Sequence, residues 1–208
     1  MDYSIIGYLW LFFIYAFLGW GLEVSFHAVT SGKFVNRGFL IGPVCPIYGF
    51  GMVILIFCLN PVLDNVFLLF VGGILLTSLL EFVTGFILEK LFRTKWWDYS
   101  DKPFNIKGYI CLSFSIAWGL AAVFVINIIH PFINVLISLL DNTLGNVLLV
   151  IVFLYFIADL IITVFGVMQI SKHLRFHDDI EKQLNYYSEN IGESIYSKTS
   201  LAIEKLEQ

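Results

Sequence analysis

Residues 66–88 read VFLLFVGGILLTSLLEFVTGFIL, an apolar run with a single charged residue, Glu81. A helix rises about 1.5 Å per residue and a hydrocarbon core is about 30 Å thick, so roughly 20 such residues make one crossing. In lipid every backbone N–H and C=O must bond within the chain, which a helix achieves unaided. Four further runs have the same character: Ile5–Leu22, Phe39–Leu59, Tyr109–Ile129 and Val147–Met168. None alternates residue by residue, as the strands of an outer-membrane barrel would. Pro131–Leu140 (PFINVLISLL) is apolar but short, and is expected to lie along an interface.

Composition agrees. The chain has 208 residues, 59% hydrophobic and 13% charged, against about 25% charged in soluble domains. A water-soluble body of this size has too little interior to hide that much apolar side chain. The first run lacks a basic leader, since Asp2 is acidic, and no small-x-small cleavage site follows, so it is read as a retained span. Cys45, Cys58 and Cys111 have neither C-x-x-C nor metal-ligand spacing and read as small buried hydrophobes, so no metal or other cofactor is expected.

Loop charge sets orientation. Lys33 and Arg37 separate runs one and two; Lys90, Arg93, Lys95, Lys102 and Lys107 separate runs three and four; Lys172, Arg175, Lys182, Lys198 and Lys205 follow run five. These are all twelve Lys and Arg residues, and the loops around Asp64 and Asp141 have none. Five spans place every cation on one side, giving an outside N-terminus and a cytoplasmic tail. The expected architecture is therefore an all-α membrane bundle over residues 1–169, with a cytoplasmic helical tail over 170–208. In that tail Ile180, Leu184, Tyr187, Ile191 and Ile195 form one apolar stripe. His173, His177 and Asp178 are too few for a metal site and read as a solvated face.

Runs one and two resemble runs three and four. Gly19-Trp20-Gly21-Leu22-Glu23 aligns with Gly85-Phe86-Ile87-Leu88-Glu89, Arg37-Gly38-Phe39-Leu40 with Lys107-Gly108-Tyr109-Ile110, and Tyr48-Gly49 with Trp118-Gly119. Both copies enter from the same side, so the reading is a parallel 2+2 repeat about an axis along the membrane normal.

Glu23, Arg37, Glu89 and Lys107 are expected at the cytoplasmic ends of spans. They would line a vestibule there, or else pair with one another and snorkel to water. Glu81 and Asp159 are costlier, lying roughly 18 to 22 Å from the outer face at 1.5 Å per residue. A carboxylate at such depth costs about 2.5–3.5 kcal/mol on insertion scales. Together they would bind a proton or a cation; separately, each would be held by nearby hydroxyls. Gly42-Pro43-Val44-Cys45-Pro46-Ile47-Tyr48-Gly49-Phe50-Gly51 is expected to break the start of span two, since proline removes donors and glycine loosens the helix. Trp96, Trp97 and Tyr99 sit among cations and read as interfacial anchors. No phosphate-binding loop, dinucleotide fingerprint or hydrolase signature occurs in the sequence.

Three stretches resemble a bacterial family: Gly19–Val24, Lys33–Gly49 with its string NRGFLIGPVCPIYG, and Trp96-Trp97-Asp98-Tyr99-Ser100 followed by Pro103-Phe104-Asn105. It is the ABC-transporter type IV or CmpB family, grouped with the vertebrate transmembrane protein 229 proteins. The resemblance covers roughly residues 10 to 125, leaving the fifth span and tail outside it. The family's name implies a permease, and carries over no substrate and no binding residues. The leading expectation is thus a plasma-membrane permease or transport-associated subunit. Five spans are few for a complete transporter, so the bilayer, a second copy or a membrane partner, and a separate ATP-binding protein are the expected partners, and nucleic acid is not. A membrane assembly or sensor protein acting through its tail is the alternative. A lipid-modifying enzyme using Glu23, Glu89, Asp98 and Asp101 is the third, weakened by the missing catalytic signature.

Overall fold

The computed structural model describes residues 3–34, 36, 38–140 and 143–173. The expectations for Arg37 and for the tail beyond His173 fall outside the described residues. Helix α1, Ile5–Ser31, starts at Ser4, whose Oγ accepts from the Gly7 N–H at 3.2 Å, and stops at Gly32 in the left-handed region. Helix α2 is Pro46–Leu59 and passes through a 3₁₀ turn, Asn60–Val62. Helix α3, Val66–Phe92, is capped by the Asn65 side chain and ends at Arg93, again left-handed. The non-helical connection from α3 to α4, residues 93–111, is a hairpin loop: its first part, residues 93–104, leads into a short antiparallel hairpin that pairs β1, Asn105–Ile106, with β2, Ile110–Cys111. Helix α4, Leu112–Phe124, leads through a π turn, Val125–Ile129, into α5, His130–Leu140, and α6 is Thr143–His173.

Among the described residues four helical stretches are long and apolar enough to cross a membrane: Ile5–Ser31, Val66–Phe92, Leu112–Leu140 and Thr143–Gln169. The second apolar run differs from expectation, because only Pro46–Val62 of it is helical. Its first residues leave the helix where the two prolines withhold N–H donors. The fourth run also differs. It starts at Leu112 instead of Tyr109 and does not end at Ile129. Pro131 cannot donate to the Asn127 carbonyl and its ring would crowd that carbonyl, yet the chain widens by one π turn and carries on. Pro131–Leu140 is therefore the end of a membrane-length helix and not a separate interfacial segment.

Neighbouring helices run antiparallel. On α2, Tyr48 meets Gly19, Phe50 meets Phe12 and Phe57 meets Tyr8, moving down α1 as α2 proceeds. Tyr109, Ser115 and Gly119 likewise meet Phe82, Ser78 and Ile74 of α3 in descending order. Leu11, Leu55, Ile56 and Leu69 are fully buried between these pairs, and Phe156 of α6 packs edge-on against Phe12 and Phe13. Outward faces stay apolar, as Leu154, Ile161, Ile162 and Phe165 of α6 show, which suits contact with lipid.

One polar knot ties α5 to α1. His130 is completely buried. Its Nε2 lies 3.0 Å from the Tyr3 hydroxyl and its Nδ1 2.9 Å from the Tyr15 hydroxyl, and Tyr3 also donates to the Asn134 side chain. Both imidazole nitrogens are thus satisfied without water. Replacing His130 by Leu orphans the Tyr15 hydroxyl, at about 1–3 kcal/mol. His130→Leu should lower the unfolding midpoint in detergent more than Tyr3→Phe, which breaks one of the two imidazole bonds where His130→Leu breaks both; equal midpoints for wild type and His130→Leu would refute the knot.

Candidate functional site

The geometry starts from residues 38–45, where the backbone is not helical yet is packed inside the bundle. Leu40 and Val44 are buried against Ala16, with Phe39, Phe156 and Leu160 around them. Buried N–H groups of such a segment need acceptors. Asp159 of α6 supplies two: its Oδ1 accepts from Ile41 N–H at 3.2 Å and its Oδ2 from Gly42 N–H at 2.9 Å. The Thr163 hydroxyl donates to Oδ1 as well, at 3.2 Å. A Cβ on residue 42 would fall 2.4 Å from the Tyr155 hydroxyl and 2.8 Å from Asp159 Oδ2, so only glycine fits. The Cys45 N–H reaches the Ala16 carbonyl of α1 at 2.9 Å. Asn36 completes the support: its Oδ1 accepts from the Trp20 indole and Gly38 N–H, and its Nδ2 donates to the Leu40 and Ile41 carbonyls.

Glu81 of α3 is as deeply buried as Asp159, each 7% exposed, but the two share no hydrogen-bond partner among the described residues. Glu81 Oε1 accepts from the Tyr99 hydroxyl at 3.1 Å. The Trp118 indole faces the same carboxyl group, while Oε2 is buried and has no hydrogen-bond partner among the described residues. Tyr99 stacks on Phe114 with centroids 4.7 Å apart. Glu23 of α1 accepts from the Tyr48 hydroxyl at 2.6 Å, and the Tyr48 ring meets the Trp118 ring edge-on at 5.7 Å. Gly19 leaves the room that Tyr48 occupies, since a Cβ there would lie 2.2 Å from its ring. Tyr99 lies within electrostatic reach of both Glu81 and Glu23. The structure thus groups Glu81 with Glu23 through Tyr48, Tyr99 and Trp118, where the sequence suggested Glu81 with Asp159.

The remaining expected positions separate. Glu23 lies inside α1, well before its end at Ser31, and is not a helix-end charge. Glu89 borders an open recess with Phe86, Lys90, Arg93 and Tyr109, and its Oε2 has no hydrogen-bond partner among the described residues. Lys107 adopts a left-handed backbone, and its carbonyl accepts from Lys95 Nζ at 3.2 Å. Among the described residues the ion pairs are Lys95–Asp98 and Lys102–Asp101. Neither Glu23 nor Glu89 joins Lys107 in one, and any pairing with Arg37 lies outside the described residues.

The hairpin loop explains the aromatic cluster. Asp98 accepts from the Ser100 hydroxyl at 2.5 Å, the Ser100 N–H at 3.0 Å and Lys95 at 3.2 Å. The Ser100 hydroxyl first, then its N–H and the Lys95 ammonium, hold the Asp98 carboxyl below its ordinary range. Trp97 donates to the Tyr109 carbonyl at 2.9 Å, and its ring covers Gly85. Trp96 lies against Phe39 and Phe92. Tyr99 differs from the expected anchor: it turns inward to Glu81. Sequence reasoning missed Tyr48, Tyr99 and Trp118 as partners of buried acids, and also Asn36 and His130. A buried carboxylate needs donors, and that demand was the one available signal.

These geometries separate the two deep acids by role. Asp159→Asn keeps the shape but turns an N–H₂ toward the backbone N–H of Ile41 or Gly42. One donor is orphaned, at about 1–3 kcal/mol, so this isosteric change is expected to destabilise the bundle. Gly42→Ala should do the same through its clash. Glu81→Gln should insert and keep its midpoint, because the amide oxygen still accepts from Tyr99. Detergent melting curves check all three, and a stable Asp159→Asn protein would contradict the assignment.

Searches of the curated proteins and of the solved structures return no match. The family described as "Putative ABC-transporter type IV" matches residues 10–164. That match runs beyond the motifs that carried the resemblance and takes in most of α6, including Asp159. A match over most of the chain is decisive, and the protein belongs to the ABC-transporter type IV (CmpB) family.

Proposed function

We propose that the protein is a multi-pass permease or transport-associated subunit that handles its substrate at Glu81. One observation carries this reading: a carboxylate in the middle of a membrane-length helix is buried with one oxygen unpartnered. Retaining such a group is costly in lipid, and intramembrane acids usually serve binding or coupling. Tyr99 reaches this acid from a non-helical hairpin loop, so the covering group sits on an element that can move without unwinding a span. Non-helical backbone inside a bundle is characteristic of transport paths.

In this reading the short helix α2 counts as a fifth crossing. Pro46–Val62 spans about 25 Å at 1.5 Å per residue, and residues 38–45 complete the passage. Five crossings put the N-terminus outside, the hairpin loop and tail in the cytoplasm, and all cations on one side. The repeat is retained as part of the proposal: α1–α2 and α3–α4 are both antiparallel pairs, and Gly19 and Gly85 each receive an aromatic ring. A second copy or another membrane subunit would complete the path. With no phosphate-binding loop in the chain, any ATP would be bound by a separate protein. The reading is not enzymatic. No hydrolase signature of the kind a lipid-modifying site would use occurs in the sequence.

In a cysteine-free background, single cysteines at positions 65, 95 and 198 test the crossings. An impermeant reagent added outside should label only position 65; labelling at 95 would overturn the orientation. Glu81→Gln should reach the membrane at wild-type level and fail to complement a deletion strain in growth or metabolite profile. Full complementation by Glu81→Gln, with loss on truncating residues 174–208, would favour the assembly or sensor reading instead.

A further inference from the structure

Resting on the permease reading, we infer that the substrate is a small organic cation with N–H donors, a protonated amine, bound by Glu81 and Glu23 within the ring set Tyr48, Tyr99, Phe114 and Trp118. Charge comes first. Two carboxylates from α1 and α3 face one aromatic cluster. Among the described residues, the Lys side chains with located partners spend their charge elsewhere: Lys95 and Lys102 on aspartates of the hairpin loop, Lys90 over the Phe86 ring. Two acids without a cation in a low-dielectric interior repel each other and favour a positive guest.

The walls then narrow the guest. Tyr and Trp faces attract cations through their ring quadrupole, more strongly when water is excluded. A bare metal ion is a poorer match, since it needs several oxygen, nitrogen or sulfur ligands. Among the described residues no group of three or more His, Cys, Asp or Glu is placed to hold one. The unpartnered Glu81 Oε2 decides between kinds of organic cation. It is a buried acceptor awaiting a donor; an ammonium with N–H bonds satisfies it, whereas a quaternary ammonium has none to give. Glu23 and Glu81 each hold a tyrosine hydroxyl in this structure. An incoming ammonium would take over the donor role of Tyr99, while Trp96, Trp97 and the stacking of Tyr99 on Phe114 keep the loop over the site.

The test uses full-length protein in lipid nanodiscs, with tryptophan fluorescence and melting temperature read against phenethylammonium, choline and sodium at fixed ionic strength. Phenethylammonium should quench the fluorescence saturably and raise the melting temperature. Choline should bind at least 10-fold more weakly and sodium should have no saturable effect. Glu81→Gln should weaken phenethylammonium at least 10-fold, and Trp118→Leu should weaken it too, each variant first shown to melt cooperatively without ligand. Choline binding as tightly as phenethylammonium, sodium alone binding, or Glu81→Gln retaining wild-type affinity would each overturn the inference. Proteoliposome uptake separates it from the reading beneath it. Binding without uptake leaves the site standing and removes the permease; failure of every amine to bind, while Glu81→Gln still abolishes complementation, removes the amine and leaves the permease.

Discussion

Backbone that leaves the helix inside a bilayer carries N–H groups with no water to meet them, and each one left bare costs free energy comparable to a lost hydrogen bond. Residues 38–45 create that demand, because Pro43 and Pro46 prevent an early helix start. Asp159, the Asn36 Oδ1 and the Ala16 carbonyl accept these N–H groups from three directions. The position of α6 follows from this. Its carboxylate must stand beside Ile41 and Gly42, and residue 42 must lack a side chain for the approach to be close enough. Once α6 is docked, Phe156 reaches Phe12 and Phe13, so the same contact that satisfies the irregular segment also closes the aromatic core.

The family's most specific string thereby acquires a physical meaning. In NRGFLIGPVCPIYG, Asn36 ties together Trp20 and the carbonyls of Leu40 and Ile41. Gly42 admits the carboxylate, the prolines delay the helix, and Tyr48 reaches Glu23. The string is therefore a folded device packed inside the bundle, and the acid on α6 is its missing part. That the family's match extends into α6 is what this dependence requires.

Much of this was legible in advance. Length and apolarity alone locate the membrane helices, because lipid allows few solutions. The break in span two was legible too, from Pro43 and Pro46. Helix ends were not. Hydropathy sees Phe39 and Tyr109 as span residues, although both belong to irregular backbone ahead of α2 and α4, since an apolar side chain does not report its own dihedral angles. Pro131 misled for the opposite reason: a π turn absorbs it, and the burial of His130, Ile133 and Ile137 favours continuing the helix. Among site residues, the burial of Glu81 and Asp159 was readable from their place inside apolar runs. Their partners were not, because Tyr99 and Ile41 lie far from them in sequence and no spacing rule connects a hairpin loop to a helix interior.

The two deep acids show why depth alone does not assign a role. Asp159 has both oxygens engaged by backbone donors that exist only in the folded bundle, so its charge is matched within the fold. Glu81 has one oxygen bare among the described residues, and the hydroxyl on its other oxygen comes from a loop tyrosine whose departure unwinds nothing. A fully satisfied buried acid resists change, since any new ligand must first break bonds that hold the chain together. A half-satisfied one gains from a ligand, because its desolvation cost is already borne and only the donor is lacking. By that criterion Asp159 belongs to the architecture and Glu81 to the chemistry, though composition and depth make them look alike.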